Sequence, residues 1–162
     1  MYNENGGRPL RRFAAQRKFI VEEALPLIQV IAGNKGSGKT KRIIDMANNA
    51  TQDSKHDIVF IDDDNRYMFD LRHEVRFINA GEYNLLSDQM FMGFLAGTVA
   101  QNFDVGLILI DAFKKLIKCE LATTAWLFER LEALSEKHSV DFVISISEDP
   151  EALPDFIKPY VI

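Results

Sequence analysis

Cysteine is almost absent from this sequence. Cys119 stands alone, so no disulfide can form within the chain, which agrees with a reducing compartment and an expected cytoplasmic location. Long apolar runs are also missing. The most apolar long segment, Leu85–Ala100, is interrupted by Ser87, Asp88 and Gln89 and is too short to span a bilayer. The basic start lacks an apolar stretch followed by a small-residue cleavage site, so no secretory signal is read there. Basic residues are in the minority, 19 against 24 acidic, for a net charge of −5. The first 27 residues carry +2 and the rest −7. An acidic body lacks the clustered Lys and Arg that a phosphate-backbone footprint requires, so nucleic acid is not indicated. The three histidines, His56, His73 and His138, are scattered without metal-ligand spacing. Internal repeats and low-complexity tracts are absent.

The composition is that of an ordinary folded chain. Of the 162 residues, 47% are hydrophobic and 27% charged, which suits one domain with a sizeable core. Residues 1–27 read as an N-terminal extension: a loose Asn/Gly/Pro start, then a partial helical stripe over Leu10–Leu25 closed by Pro26. Residues 28–162 form the core domain.

From Ile28 onward apolar runs alternate with helical patterns. Strands are expected at Leu27–Ala32, Ile58–Ile61, Val75–Ile78, Val105–Ile110 and Phe142–Ile146, with a last one at Tyr160–Ile162. Helices are expected at Lys39–Ala50, Leu86–Phe103 and Leu121–His138, and a helical turn at Tyr67–His73. Met and Phe at positions 90–94 read as core. Strands that are nearly all apolar and alternate with helices predict an α/β fold of three layers, with a mostly parallel central sheet of about five strands.

The segment Gly33-Asn34-Lys35-Gly36-Ser37-Gly38-Lys39-Thr40 fits G-x-x-x-x-G-K-[ST] without deviation. Its glycines permit backbone angles that a Cβ forbids, and its amides face a polyphosphate together with the start of the following helix. In this pattern Lys39 reaches the β- and γ-phosphates and the Thr40 hydroxyl binds magnesium. On these residues, from about Ile28 to the C-terminus, the chain resembles the P-loop NTPase superfamily, its RecA-like and additional-strand members in particular. It is also similar to small stand-alone bacterial proteins described only as ATP-binding. The resemblance implies ATP and Mg2+ as ligands, bound along Gly33–Thr40.

Further residues gain roles from that resemblance. Val105–Asp111, an apolar strand ending in aspartate, resembles the second NTPase signature, in which Asp111 joins Thr40 at magnesium. Ile58–Asp62 has the same form. Asp62, Asp63 and Asp64 stand 23 to 25 residues after Lys39, where RecA-like ATPases carry the carboxylate that orients water. Many hydrolysing relatives place Glu directly after the magnesium-site Asp, whereas Ala112 and Phe113 follow here, which implies slow turnover or dependence on a partner. Ser145 and Ser147 end a strand as the polar sensor of the additional-strand NTPases does, so the resemblance offers either serine, Ser145 or Ser147, to the γ-phosphate. Asn65-Arg66-Tyr67 is similar to a stretch of thymidylate kinases whose arginine grips the acceptor, and Arg66, Arg72 and Arg76 are the candidates for such a patch.

Three functions remain open on the sequence. The first is slow hydrolysis of Mg-ATP by a nucleotide-dependent switch or accessory factor. The second is a nucleotide or small-molecule kinase, and the third a non-catalytic ATP-gated binding module. A GTPase is disfavoured, because no Asp-x-x-Gly occurs. A protein partner or a homo-oligomer is compatible with the sequence, and no residue points to either.

Overall fold

The computed structural model describes residues 27–162. The expected helix at Leu10–Leu25, and the extension it belongs to, lie outside the described residues. Five strands form one parallel sheet: β1 (Ile28–Gly33), β2 (Asp57–Asp62), β3 (Val75–Asn79), β4 (Val105–Ile110) and β5 (Asp141–Ser147). Their spatial order is β1-β5-β4-β2-β3, every pair parallel. Among the described residues four α-helices cover it: α1 (Lys39–Asp53), α2 (Asp88–Gln101), α3 (Phe113–Ile117) and α4 (Ala125–His138).

The apolar strands are legible as parallel because both their faces are buried. Successive residues supply opposite cores. Val59, Ile61, Ile108 and Ile110 pack with Phe91 and Leu95 of α2, Phe113 and Ile117 of α3, and Leu127, Phe128 and Leu131 of α4. Ile58, Phe60, Leu107 and Leu109 pack on the other side with Ile43, Ile44 and Ala47 of α1. This is the three-layer α/β/α arrangement. Among the described residues no helix is long and apolar enough to cross a membrane.

Several boundaries differ from expectation for local reasons. The expected helix Leu121–His138 is two pieces, a 3-10 turn at Leu121–Thr123 and then α4. Thr124 is fully buried between them and donates from its hydroxyl to the Leu121 carbonyl at 2.7 Å. Ser87 accepts from the Met90 amide and so starts α2 two residues later than expected. In its first turns Phe91 and Met92 are buried, Phe94 is half-buried, and Met90 and Gly93 face solvent, so only part of the 90–94 run is core. The Tyr67–His73 turn is a 3-10 turn at Met68–Asp70. The last expected strand is instead a 3-10 turn at Lys158–Tyr160, followed by a single parallel bridge from Val161 to Val30. Helix α3 has no counterpart among the elements expected from the sequence.

Strand register decides what meets at the carboxyl edge. Ile110 pairs with Ile144, and Ile61 with Ile110. The residues that follow, Asp111, Ser145 and Asp62, therefore lie at one level, and Gly33 pairs with Ser147 beside them. In open parallel sheets, this edge is where ligands settle.

Candidate functional site

The glycine loop leaves β1 and enters α1 with two residues in the left-handed region, Gly36 at φ +84° and Gly38 at φ +88°. Gly33 is needed for a different reason: a Cβ built there would lie 2.4 Å from Ser37 Oγ. Gly38 is the cap of α1, and no side chain caps the helix. The first-turn amides, which no helical carbonyl can reach, therefore remain available to a ligand. That turn holds no acid and carries Lys39, Lys41 and Arg42. Cations at a helix N-terminus oppose the helix dipole, an arrangement that an anion at the same place would relieve.

Lys39 is only 8% exposed. Its ammonium donates to the Asn34 carbonyl at 2.9 Å and to Ser37 Oγ at 3.5 Å, drawing the loop around it. Thr40 Oγ1 donates to Asp111 Oδ2 at 2.9 Å, although the two residues are 71 positions apart. The other oxygen of Asp111 accepts from Ser145 Oγ and from the Ala112 amide, the latter at 3.0 Å. Ala112 itself sits at φ +57°, turning the chain off β4 into α3.

The Asp62–Asp64 trio divides. Asp62 is 3% exposed and accepts the Asp63 amide at 2.7 Å. Its carboxyl is pushed up to about 7, first by burial, with the charges of Asp111 and Asp63 adding to this and the Asp63 amide opposing it. Asp63 Oδ2 meets Lys115 Nζ at 3.2 Å, and its Oδ1 is buried without a hydrogen-bond partner. Ligand atoms of all three carboxylates lie within 4.8 Å of one another. Asp64, however, turns to Arg66, whose Nε stands 2.7 Å away. The Arg66 amide, and after it the guanidinium, hold the Asp64 carboxyl below its usual value.

A cleft of about 900 Å3 runs from Lys35 and Ser147 past Lys39, Thr40 and Asp111 to Asn48, Tyr67 and Asp70. It brings together Lys35, Gly36, Gly38, Lys39 and Thr40 of the loop with Asp111, Asp62, Asp63, Arg66, Lys114 and Lys115, while Gly33, Asn34 and Ser37 do not line it. Four further candidates are placed otherwise than expected. Asp64 is not among the lining residues, because its carboxylate is spent on Arg66. Ser145 is 2% exposed and faces Asp111, so Ser147 is the serine that borders the cleft. Arg72 and Arg76 are exposed and do not line the cleft, which leaves Arg66 as the one member of that trio at the site. Lys114 and Lys115 also line the cleft and belong to no sequence motif, since the turn at Ala112 is what brings them there.

The expectation for Asp111 rested on an apolar strand ending in a carboxylate, and that for Thr40 on the loop pattern. Their contact joins the two. No protein-family model matches the chain, and no curated protein matches it either.

Proposed function

We propose that the chain binds ATP with magnesium at the Gly33–Thr40 loop and hydrolyses it slowly, acting as a nucleotide-dependent switch or accessory factor. The observation that carries this reading is the 2.9 Å contact of Thr40 with Asp111 at a helix terminus that is both uncapped and basic. An alcohol and a carboxylate side by side form a donor set suited to a hydrated hard cation. Free amides and an ammonium beside them suit a polyphosphate. Thr40 and Asp111 are the residues that would hold magnesium, which when bound neutralises phosphate charge.

The remaining roles belong to the chain's own groups. Lys39 exchanges the Asn34 carbonyl for phosphate oxygens and carries their charge. The first-turn amides of α1 orient the polyphosphate. Ser145 holds Asp111 in position from the neighbouring strand. The buried carboxyl of Asp62 aligns water or takes its proton, with Asp63 at its side, and the placement of β5 between β1 and β4 supports the additional-strand resemblance. Ala112 after Asp111 offers no carboxylate, which accords with slow turnover.

A second reading, phosphoryl transfer to a small acceptor, is favoured by one observation. The cleft continues beyond Thr40 along α1 to Asn48 and is walled there by Arg66 and Tyr67. An acceptor that raises ATP turnover sharply, with Arg66 essential, would establish it.

Calorimetry with ATP, GTP and ADP, with and without magnesium, tests the first reading. Native protein is expected to bind ATP in a magnesium-dependent way, and Lys39→Ala to lose most of that binding. Undiminished binding by the variant would overturn the assignment of the site.

A further inference from the structure

We infer that Lys115 lets this site tell a nucleoside triphosphate from a diphosphate, by donating to the terminal phosphate while it continues to hold Asp63. The inference rests on the nucleotide reading above. Among the described residues, six cationic side chains border the cleft. Lys39 spans the β- and γ-phosphates in the loop pattern, so it contacts both nucleotides, and Lys35 and Lys41 flank it on the loop and the first turn of α1. Arg66 and Lys114 are paired with Asp64 and Glu148, at 2.7 and 2.9 Å, and neither carboxylate lines the cleft. Lys115 differs, because its partner Asp63 itself lines the cleft, next in the chain to buried Asp62.

The position of Lys115 is tied to the proposed metal site. It lies four residues after Asp111 on the short helix α3, and its amide bonds to the Ala112 carbonyl at 2.9 Å. Its side chain is 61% exposed, so its pair with Asp63 is of the weak, solvated kind and leaves the stem free to move. The pair also borders a second depression of about 470 Å3 on its other side, between α3 and the turn at residues 80–86. An ammonium has three N–H donors, and pairing with Asp63 at 3.2 Å engages at most one of them. The others remain for a phosphate oxygen.

Charge makes the lysine specific for the longer nucleotide. Lys39 approaches the terminal phosphate from the loop side, whereas Lys115 is the cation paired with Asp63, so without it the phosphate would meet that carboxylate unscreened. A diphosphate ends short of that encounter. Removing the ammonium therefore weakens triphosphate binding twice over, by losing a charge-assisted donor and by exposing Asp63 to a like charge.

The test is binding of ADP and of adenylyl imidodiphosphate, a triphosphate analogue that is not hydrolysed at the β–γ bridge, measured by calorimetry with magnesium on the full chain. Lys115→Met is expected to weaken the triphosphate analogue about tenfold while changing ADP by less than about twofold, the scale of one charge-assisted bond. Lys115→Arg should retain the preference. Asp63→Asn placed in the Lys115→Met background should recover part of the lost affinity, because the repulsion goes with the carboxylate. A Lys115→Met protein whose two affinities fall equally, or not at all, overturns the inference while leaving the nucleotide site standing. Failure of the native protein to bind either nucleotide removes both readings together.

Discussion

Asp111, the residue after β4, and Ser145, within the neighbouring strand β5, lie at the same level of the sheet, and the serine hydroxyl donates to the carboxylate in a buried contact. Thr40 holds the opposite oxygen from the start of α1. Asp111 is thus fixed from both sides before any ligand arrives, which keeps the reorganisation needed for cation binding small.

Ser145→Ala removes one of these supports and leaves the Ala112 amide on the same oxygen. It should destabilise the protein by about 1–2 kcal/mol, the cost of losing a buried hydrogen bond to a carboxylate. Urea denaturation should show a lower midpoint at unchanged slope. Magnesium dependence of ATP binding should weaken as well, since Asp111 is then less firmly oriented. A variant as stable as the native protein would show that the contact contributes nothing.

Asp62 gives a pH prediction whose sign is definite. Its carboxyl lies near 7 in the fold against 3.8 for an unperturbed aspartate, chiefly through burial. The folded state keeps a proton that the unfolded chain releases, so this residue costs stability as pH rises from about 4 to about 7. Asp62→Asn should therefore match native stability near pH 4 and exceed it progressively toward pH 7 and above, in metal-free buffer. The same variant should lose hydrolysis if Asp62 aligns water. Thermal melts across this range check the first point; a growing deficit of the variant at high pH would contradict it.

Gly33→Ala pushes a Cβ to within 2.4 Å of Ser37 Oγ. The loop must shift, and ATP affinity should fall by at least about tenfold, as expected when backbone donors move off a fixed anion. Adding Ser37→Gly removes the clashing side chain and should restore much of the affinity. If the double variant binds no better than the single one, the cause is elsewhere.

Phe113 lies directly behind the site, edge-on to Phe91 at 5.8 Å and to Phe128 at 6.0 Å between ring centroids. It is fully buried. Phe113→Ala should cost about 3–5 kcal/mol, and Phe113→Leu clearly less, both read from denaturant midpoints. Near-native stability of the alanine variant would mean that α3 is not anchored through this ring.

Legibility in the sequence followed physical locality. Val105–Ile110 could be bounded to the residue because a strand buried on both faces is apolar at every position and Asp111 interrupts it. The glycine loop was readable for the same local reason, as Gly36 and Gly38 adopt angles that other residues avoid. Helix α3 left no such mark. It is five residues long, and it starts at a left-handed alanine where a reader would look for glycine, asparagine or serine. The break at Thr124 was equally hidden, because the apolar spacing runs on across it.

The chain alone determined the alternation of strands and helices, the loop between β1 and α1, and which carboxylates stand at strand ends, since each of these follows from side chains adjacent in sequence. Only the folded sheet decided that β5 lies between β1 and β4. That order turns Ser145 toward Asp111, and the register brings Thr40 within reach of the same carboxylate. It also sorted Asp62 and Asp63 into the cleft and Asp64 out of it, and carried Lys115 to Asp63. These are relations between strands paired across many residues of chain, set by how two apolar faces pack at once, and no local pattern encodes them.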